Sequence, residues 1–287
     1  MIAPPEAGDV LAVVVSYDGA DTLGATVVAL TAQVGQVHVV DNGSDAATLA
    51  VLAELARDPK VTVELLGENR GVGAALNRGI AVAAERGCAW LLTMDQDSVI
   101  EPGFLDGFAS AVTEDGSRVC LAPTIAALDD RVATEVYEVR YAITSGTLVR
   151  TDVYASIGAY DEGFFVDGID FDFSLRLRSA GHRIVRVPGA RLRHRLGEAI
   201  ALPAPLRRFY AQHGPVRRYF IVRNFLYLSE RFATRFPMFI LKLGVAQAIQ
   251  ATLIAFFDPQ PLRNYRAMAA GVADYRRRVQ GTCPHSF

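Results

Sequence analysis

Short apolar runs alternate with helix-patterned stretches through the first hundred residues, and this constrains the chain most. Residues 10–17, 37–40, 61–66 and 89–94 are apolar and rich in Val and Leu. Each reads as a strand buried on both faces. The intervening residues 21–32, 45–57 and 71–86 have helical spacing, with Ser44 or Asp45 as a cap of the second. That alternation predicts an α/β fold: a doubly wound, mainly parallel sheet flanked by helices. Beyond Pro102 the rhythm weakens. Strands are expected over 119–125, 142–149 and 183–187, and a helix over 170–180. Pro203 and Pro205 mark a boundary, dividing a catalytic domain (1–202) from a C-terminal helical region (203–287) with helices over 217–233 and 236–257.

In such sheets ligands bind beyond the carboxyl ends of the strands. Four polar segments fall there: Ser16-Tyr17-Asp18, Asp41-Asn42-Gly43-Ser44, Glu68-Asn69-Arg70-Gly71 and Asp95-Gln96-Asp97. The second also reads as a turn and helix cap, and the third as a tight turn into a helix. The Asp95-Gln96-Asp97 triplet demands more. Two like charges this close repel unless a cation lies near them, and a hard divalent ion with oxygen ligands meets that need. A solvated turn with a capping Asp is the plainer alternative. A second acidic cluster, Asp167, Asp170 and Asp172, lies among Phe and Ile just before a helix. Apolar neighbours raise a carboxyl pKa and make a better base, which favours a catalytic Asp170. Asp172 reads equally as a first-turn acid.

Charge is segregated. Residues 1–175 carry 27 acidic against 9 basic side chains, whereas residues 176–235 carry 14 arginines against 2 glutamates. The basic part implies a phosphate or anionic-lipid partner. Nucleic acid is not expected, because the stretch has no zinc-ligand pattern and no aromatic RNA-binding motif. The three cysteines, Cys88, Cys120 and Cys283, form no CxxC, so a reducing cytosol is expected. No signal peptide is expected at the N-terminus. Residues 236–257 have Lys242 as their one charge. An interfacial helix at the cytoplasmic face of the membrane is favoured there; a buried helix, against the domain or a homodimer partner, and a spanning one stay open.

Taken in order, Ser16-Tyr17, Asp41-Asn42-Gly43-Ser44, the run from Asn69 to Asn77, Asp95-Gln96-Asp97-Ser98, Ser145-Gly146 and the run from Phe164 to Asp172 resemble the family 2 inverting glycosyltransferases, with the GT-A fold. The Asp-Gln-Asp-Ser form and the stretch from His213 to Asn224 resemble the rhamnosyltransferase branch. The resemblance implies a nucleotide-sugar donor held by Ser16, Tyr17, Asp18, Asp41, Asn42, Asn69, Gly71, Asn77 and Asp95. It implies Mg²⁺ or Mn²⁺ on Asp97, Asp95 and His194, and Asp170 as general base. Ser145, Gly146 and Asp167 would face the sugar or acceptor. The donor implied is dTDP-rhamnose, with a UDP-sugar for galactofuranosyl or hexosyl transfer as the alternative. The acceptor would be a glycan or polyprenyl-linked hydroxyl in cell-surface polysaccharide synthesis. Many family members carry Arg where Leu76 stands, which leaves the diphosphate grip to Arg176, Arg178, Arg193 or Arg195. A sugar nucleotidylyltransferase is disfavoured because the loop after the first strand is acidic. A non-catalytic nucleotide-sugar binding protein is disfavoured by the retained Asp97 and Asp170.

Overall fold

The computed structural model describes residues 4–113, 117–125, 133–194 and 212–287. The first half alternates as β1 (Val10–Ser16), α1 (Leu23–Thr31), β2 (Gln36–Asp41), α2 (Ala46–Leu55), β3 (Val61–Leu65), α3 (Val72–Glu85) and β4 (Trp90–Asp95). Then come β5 (Ser98–Ile100), α4 (Phe104–Ala109), β6 (Arg118–Ile125), β7 (Tyr137–Glu138), β8 (Thr147–Arg150), α5 (Asp152–Ile157), α6 (Ile169–Ser179) and β9 (Arg183–His194). Three helices complete the described chain: α7 (Pro215–Phe232), α8 (Pro237–Phe257) and α9 (Pro261–Arg276). These strands join one sheet, in the order β3-β2-β1-β4-β8-β6-β9-β5 with β7 beside β9.

β1 is the hub. It pairs in parallel with β2 and β4, and β2 pairs in parallel with β3. Its alternate residues divide the core. Leu11, Val13 and Val15 join the layer that includes Leu76 of α3, while Val10, Ala12 and Val14 join the layer that includes Leu23 of α1 and Phe104 of α4. Register aligns the strand ends. Ser16 lies opposite Asp41, and Val15 opposite Asp95, so three polar residues finish their strands at one level.

The second half departs from the sequence expectation in three places. Residues 142–146 are not strand; β8 begins only at Thr147. Side chains replace the ladder there. Thr93 Oγ1 donates toward the carbonyls of Thr144 and Thr147, and Gly146 takes a positive φ of 75° in the turn. β9 does not stop at Val187 but runs on to His194, where it pairs antiparallel with the unforeseen β5. The antiparallel pairings lie in this half, at β4–β8, β6–β8, β5–β9 and β7–β9. α9 is likewise unforeseen. Pro203 and Pro205, the expected boundary, lie outside the described residues, as does Arg195.

α7 ties the C-terminal helices to the loop before α6. Arg223 is fully buried, and its guanidinium donates to the carbonyls of Gly163, Phe164 and Gly281. Asn224 Nδ2 donates to the carbonyls of Phe164, Val166 and Asp167. The loop needs this hold. Phe165 and Asp167 sit at φ of 62° and 59°, a region that non-glycine residues rarely occupy. α8 packs one face on α7. Its Met238, Leu241, Val245, Ile249 and Phe256 remain exposed, so burial against this domain does not account for its apolarity. It is long and apolar enough to cross a membrane by length and composition alone.

Candidate functional site

A cavity of about 500 Å³ opens where β1 and β2 end, lined by Tyr17, Asn42, Asn69, Gly71, Phe165 and Arg217 among others. Backbone chemistry shapes it. Asp41 is buried, and its Oδ2 accepts the N–H groups of Gly43 and Ser44, folding the chain into a turn. Asn42 and Asn69 bond each other and accept the N–H groups of Arg70 and Gly71. Gly71 sits at φ 89°, and a Cβ there would lie 2.6 Å from the Phe165 carbonyl oxygen, so only glycine admits this approach. Asp18, at φ 50°, accepts the N–H of Asp45 and ties β1 to the start of α2. Buried Ser16 Oγ and Asp41 Oδ1 have no protein partner among the described residues. Both residues are next in sequence to cavity-lining residues, Val15 and Tyr17 for Ser16 and Asn42 for Asp41.

Asn77 lies elsewhere. Its amide bonds the backbone of Tyr160 and the carboxylate of Glu162, stapling α3 to the loop before α6. It does not line this cavity.

The Asp95-Gln96-Asp97 turn is fastened by its middle residue. The Gln96 amide accepts from the Tyr17 N–H and donates to the Tyr17 carbonyl, each at 2.8 Å. A Cβ at Gly19 would lie 2.2 Å from Gln96 Oε1, so that residue leaves room for the clamp. Asp95, Asp97 and His194 each offer a ligand atom, all within 4.8 Å of one another. β5–β9 pairing brings His194 there, because Ser98 is its register partner. Ser98 Oγ lies 2.6 Å from His194 Nδ1 and accepts the Ser145 hydroxyl at 2.7 Å; Ser145 Oγ in turn accepts the Asp95 N–H at 3.4 Å. Asp97 Oδ1 is buried without a hydrogen-bond partner among the described residues. Two carboxylates and an imidazole suit a borderline-hard divalent ion such as Mn²⁺ or Mg²⁺.

Asp170 lies in the first turn of α6, where Thr144 N–H donates to its Oδ1 at 3.0 Å. Burial, and then the charge of Asp95, push its pKa up to about 7. Burial, and then the charge of Asp97, push Asp95 to about 6. The carboxyl groups thus form one electrostatic unit that gains from a cation. Asp172 is different: fully buried, it holds Arg176 at 2.8 Å and Arg231 at 2.5 Å. It is a strut of the fold. Gly146 follows Ser145 in the turn beside β4, its N–H donating to the Thr93 carbonyl.

The arginines take unexpected places. Arg176 is committed to Asp172 and to the carbonyls of Ile157, Gly158 and Ala159. Arg178 stacks over Phe236. Arg193 points toward Glu101 and lines a separate cleft with Asp97 and His194. Leu76 is buried in the core. The cation that enters the main cavity is Arg217, whose Nε and Nη2 bond Asp167 at 3.0–3.2 Å. In the sequence its one signal is membership of the stretch from His213 to Asn224.

Comparisons with known proteins agree with this architecture. The model of glycosyl transferase family 2 matches residues 11–167. The chain is 26% identical to the dTDP-rhamnosyl transferase RfbF of Shigella flexneri, over 95% of this chain and 97% of that one. It is 28% identical to the N-acetylglucosaminyl-diphospho-decaprenol L-rhamnosyltransferase of Mycobacterium tuberculosis, over 55% of this chain and 66% of that one. The fold matches the Pyrobaculum calidifontis mannosyltransferase solved with GDP-Man and Mn²⁺, with a TM-score of 0.59 and 18% identity, over 94% of this chain and 77% of that one. It also matches GalNAc-T7 solved with UDP, GalNAc and Mn²⁺, with a TM-score of 0.56 and 17% identity, over 64% of this chain and 43% of that one.

Proposed function

Because the chain belongs to glycosyl transferase family 2, with the GT-A fold, we propose that it transfers L-rhamnose from dTDP-rhamnose, with inversion, to a hydroxyl of a glycan or polyprenyl-linked acceptor. The observation that carries the chemistry is Asp170, a carboxyl with a raised pKa beside the Asp95, Asp97 and His194 cluster. The near full-length similarity to a dTDP-rhamnosyl transferase supports the donor. The similarity to a rhamnosyltransferase whose name includes a decaprenyl diphosphate supports a lipid-linked acceptor.

On this reading the nucleoside occupies the cavity at the ends of β1 and β2, against Tyr17, with Ser16 Oγ and Asp41 Oδ1 completing its hydrogen bonds. Asp97, Asp95 and His194 would hold Mg²⁺ or Mn²⁺, which supplies positive charge to the diphosphate as it leaves. Asp170 takes the acceptor's hydroxyl proton as the acceptor oxygen bonds the anomeric carbon. The bond from that carbon to the diphosphate oxygen breaks, and the nucleoside diphosphate departs with the electron pair. One displacement inverts the anomeric centre. Ser145 holds the Asp95 turn from the acceptor side.

Thermal stability tests the donor. A ligand that binds the folded state alone raises stability with the logarithm of its concentration over its dissociation constant. With Mn²⁺ or Mg²⁺ present, dTDP-rhamnose is expected to raise the melting temperature more than any UDP-sugar. Selective stabilisation by a UDP-sugar assigns galactofuranosyl or hexosyl transfer instead.

The enzyme then works at the cytoplasmic face of the membrane, lying on it through α8. The exposed apolar row from Met238 to Phe256 supports this, as do the basic residues Arg263 and Arg266 nearby. The full chain is expected to float with anionic liposomes, and Leu241→Glu with Val245→Glu is expected to abolish flotation while leaving the melting temperature near that of the parent. Flotation unchanged by the two glutamates would refute this placement.

A further inference from the structure

We propose that Arg217 grips the diphosphate of the donor, with Asp167 as the positioning residue that aims it. The inference rests on the donor reading above. Among the described residues, Arg217 is the one cation lining the cavity at the ends of β1 and β2. Its side chain is half exposed, toward that opening. Asp167 engages Nε and Nη2 and leaves Nη1 outside the fork. Tyr17 lines the same cavity, and its backbone is bonded to Gln96, the middle residue of the Asp95–Asp97 turn. The cavity that Arg217 lines therefore adjoins the Asp95–Asp97–His194 cluster, and a diphosphate linking nucleoside and metal sites would run along it.

Need and geometry agree. Asp41, Asp95, Asp97 and Asp170 make the surroundings acidic, and a diphosphate brought among them requires compensating positive charge. Two other arginines that could serve are committed elsewhere: Arg176 to backbone carbonyls and Asp172, Arg178 to Phe236. Arg217 is preorganised. A guanidinium already held by a carboxylate loses little freedom when it meets a phosphate oxygen. The same helix that carries Arg217 also fixes its partner, since Asn224 bonds the carbonyls of Val166 and Asp167. One helix thus delivers the cation and holds the strained loop that aims it.

The test separates phosphate from base. Affinities for thymidine and for dTDP, and in parallel for uridine and UDP, are measured with Mg²⁺ for the parent, Arg217→Ala, Arg217→Lys and Asp167→Asn. A charge-assisted contact of this kind is worth about 10- to 100-fold in affinity. Arg217→Ala is expected to lose about that factor for the nucleoside diphosphate and nothing for the nucleoside. Arg217→Lys keeps part of the affinity, having charge but no fork. Asp167→Asn keeps most, because the cation remains. Unchanged diphosphate affinity in Arg217→Ala overturns the inference, as does an equal loss for nucleoside and diphosphate. If the parent itself binds neither dTDP nor UDP, the donor reading fails and the inference falls with it.

Discussion

Asp170→Asn is expected to keep its affinity for the donor and to lose about 10²–10⁴-fold in turnover, the usual contribution of a general base. The substitution is nearly isosteric. Its amide oxygen still accepts the Thr144 N–H that Asp170 Oδ1 accepts now, so the turn and the cavity persist. What disappears is the proton acceptor. The pH profile carries the same information. Asp170 has its pKa raised from 3.8 to about 7, by burial and then by the charge of Asp95. A base must be deprotonated to act, so turnover rises with pH through this group's titration. A cation at Asp95 offsets the repulsion and moves the acid limb below 7. Stability of the metal-free protein runs the other way. Between about 4 and 7 the folded state keeps a proton that the unfolded chain has released, so stability falls as pH rises across that window. Near-normal turnover in Asp170→Asn, with donor and acceptor saturating, would remove Asp170 from the mechanism.

Asp97→Ala is expected to abolish the stabilisation that Mn²⁺ and donor produce together, and to lower turnover at least about 10²-fold, since charge neutralisation at a leaving diphosphate contributes several kcal/mol. The fold should survive. Asp97 Oδ1 makes no hydrogen bond among the described residues, and His194 Nδ1 is 3.8 Å away. Without metal the variant should be no less stable than the parent at pH 8, because the charge of Asp97 is what Asp95 resists after burial itself. Calorimetric titration with Mn²⁺, with and without nucleoside diphosphate, reads both effects. An undiminished Mn²⁺ response would place the metal elsewhere.

The site was legible to very different degrees. The placement of Ser16, Asp41 and Asp95 at the strand ends could be read from sequence because a parallel strand buried on both faces writes itself as an unbroken apolar run. Its first polar residue then marks the carboxyl edge. His194 was legible only through resemblance, since the apolar run that announces its strand ends at Val187. The extension to His194 depends on pairing with β5, which is three residues long and has no periodicity to detect. The partners of Asn77 could not be read from its place in the sequence. It lies on the helix that Gly71 opens, yet its side chain turns to Tyr160 and Glu162. The function of Gln96 was hidden because its partner is the backbone of Tyr17, which any sequence would supply.

By itself the sequence determined the alternating α/β order, the polar strand ends and the acid cluster before α6, because burial and period are local properties of a strand or helix. Tertiary structure alone decided which charges meet. It set Asp170 against Thr144 and within the field of Asp95, and turned Asp172, on the same helical turn, to Arg176 and Arg231. It committed Arg176 to the fold and carried Arg217 across 50 positions to Asp167. Charged side chains have no periodicity that announces a partner. Their roles depend on through-space distance and desolvation, and only the packed molecule sets those.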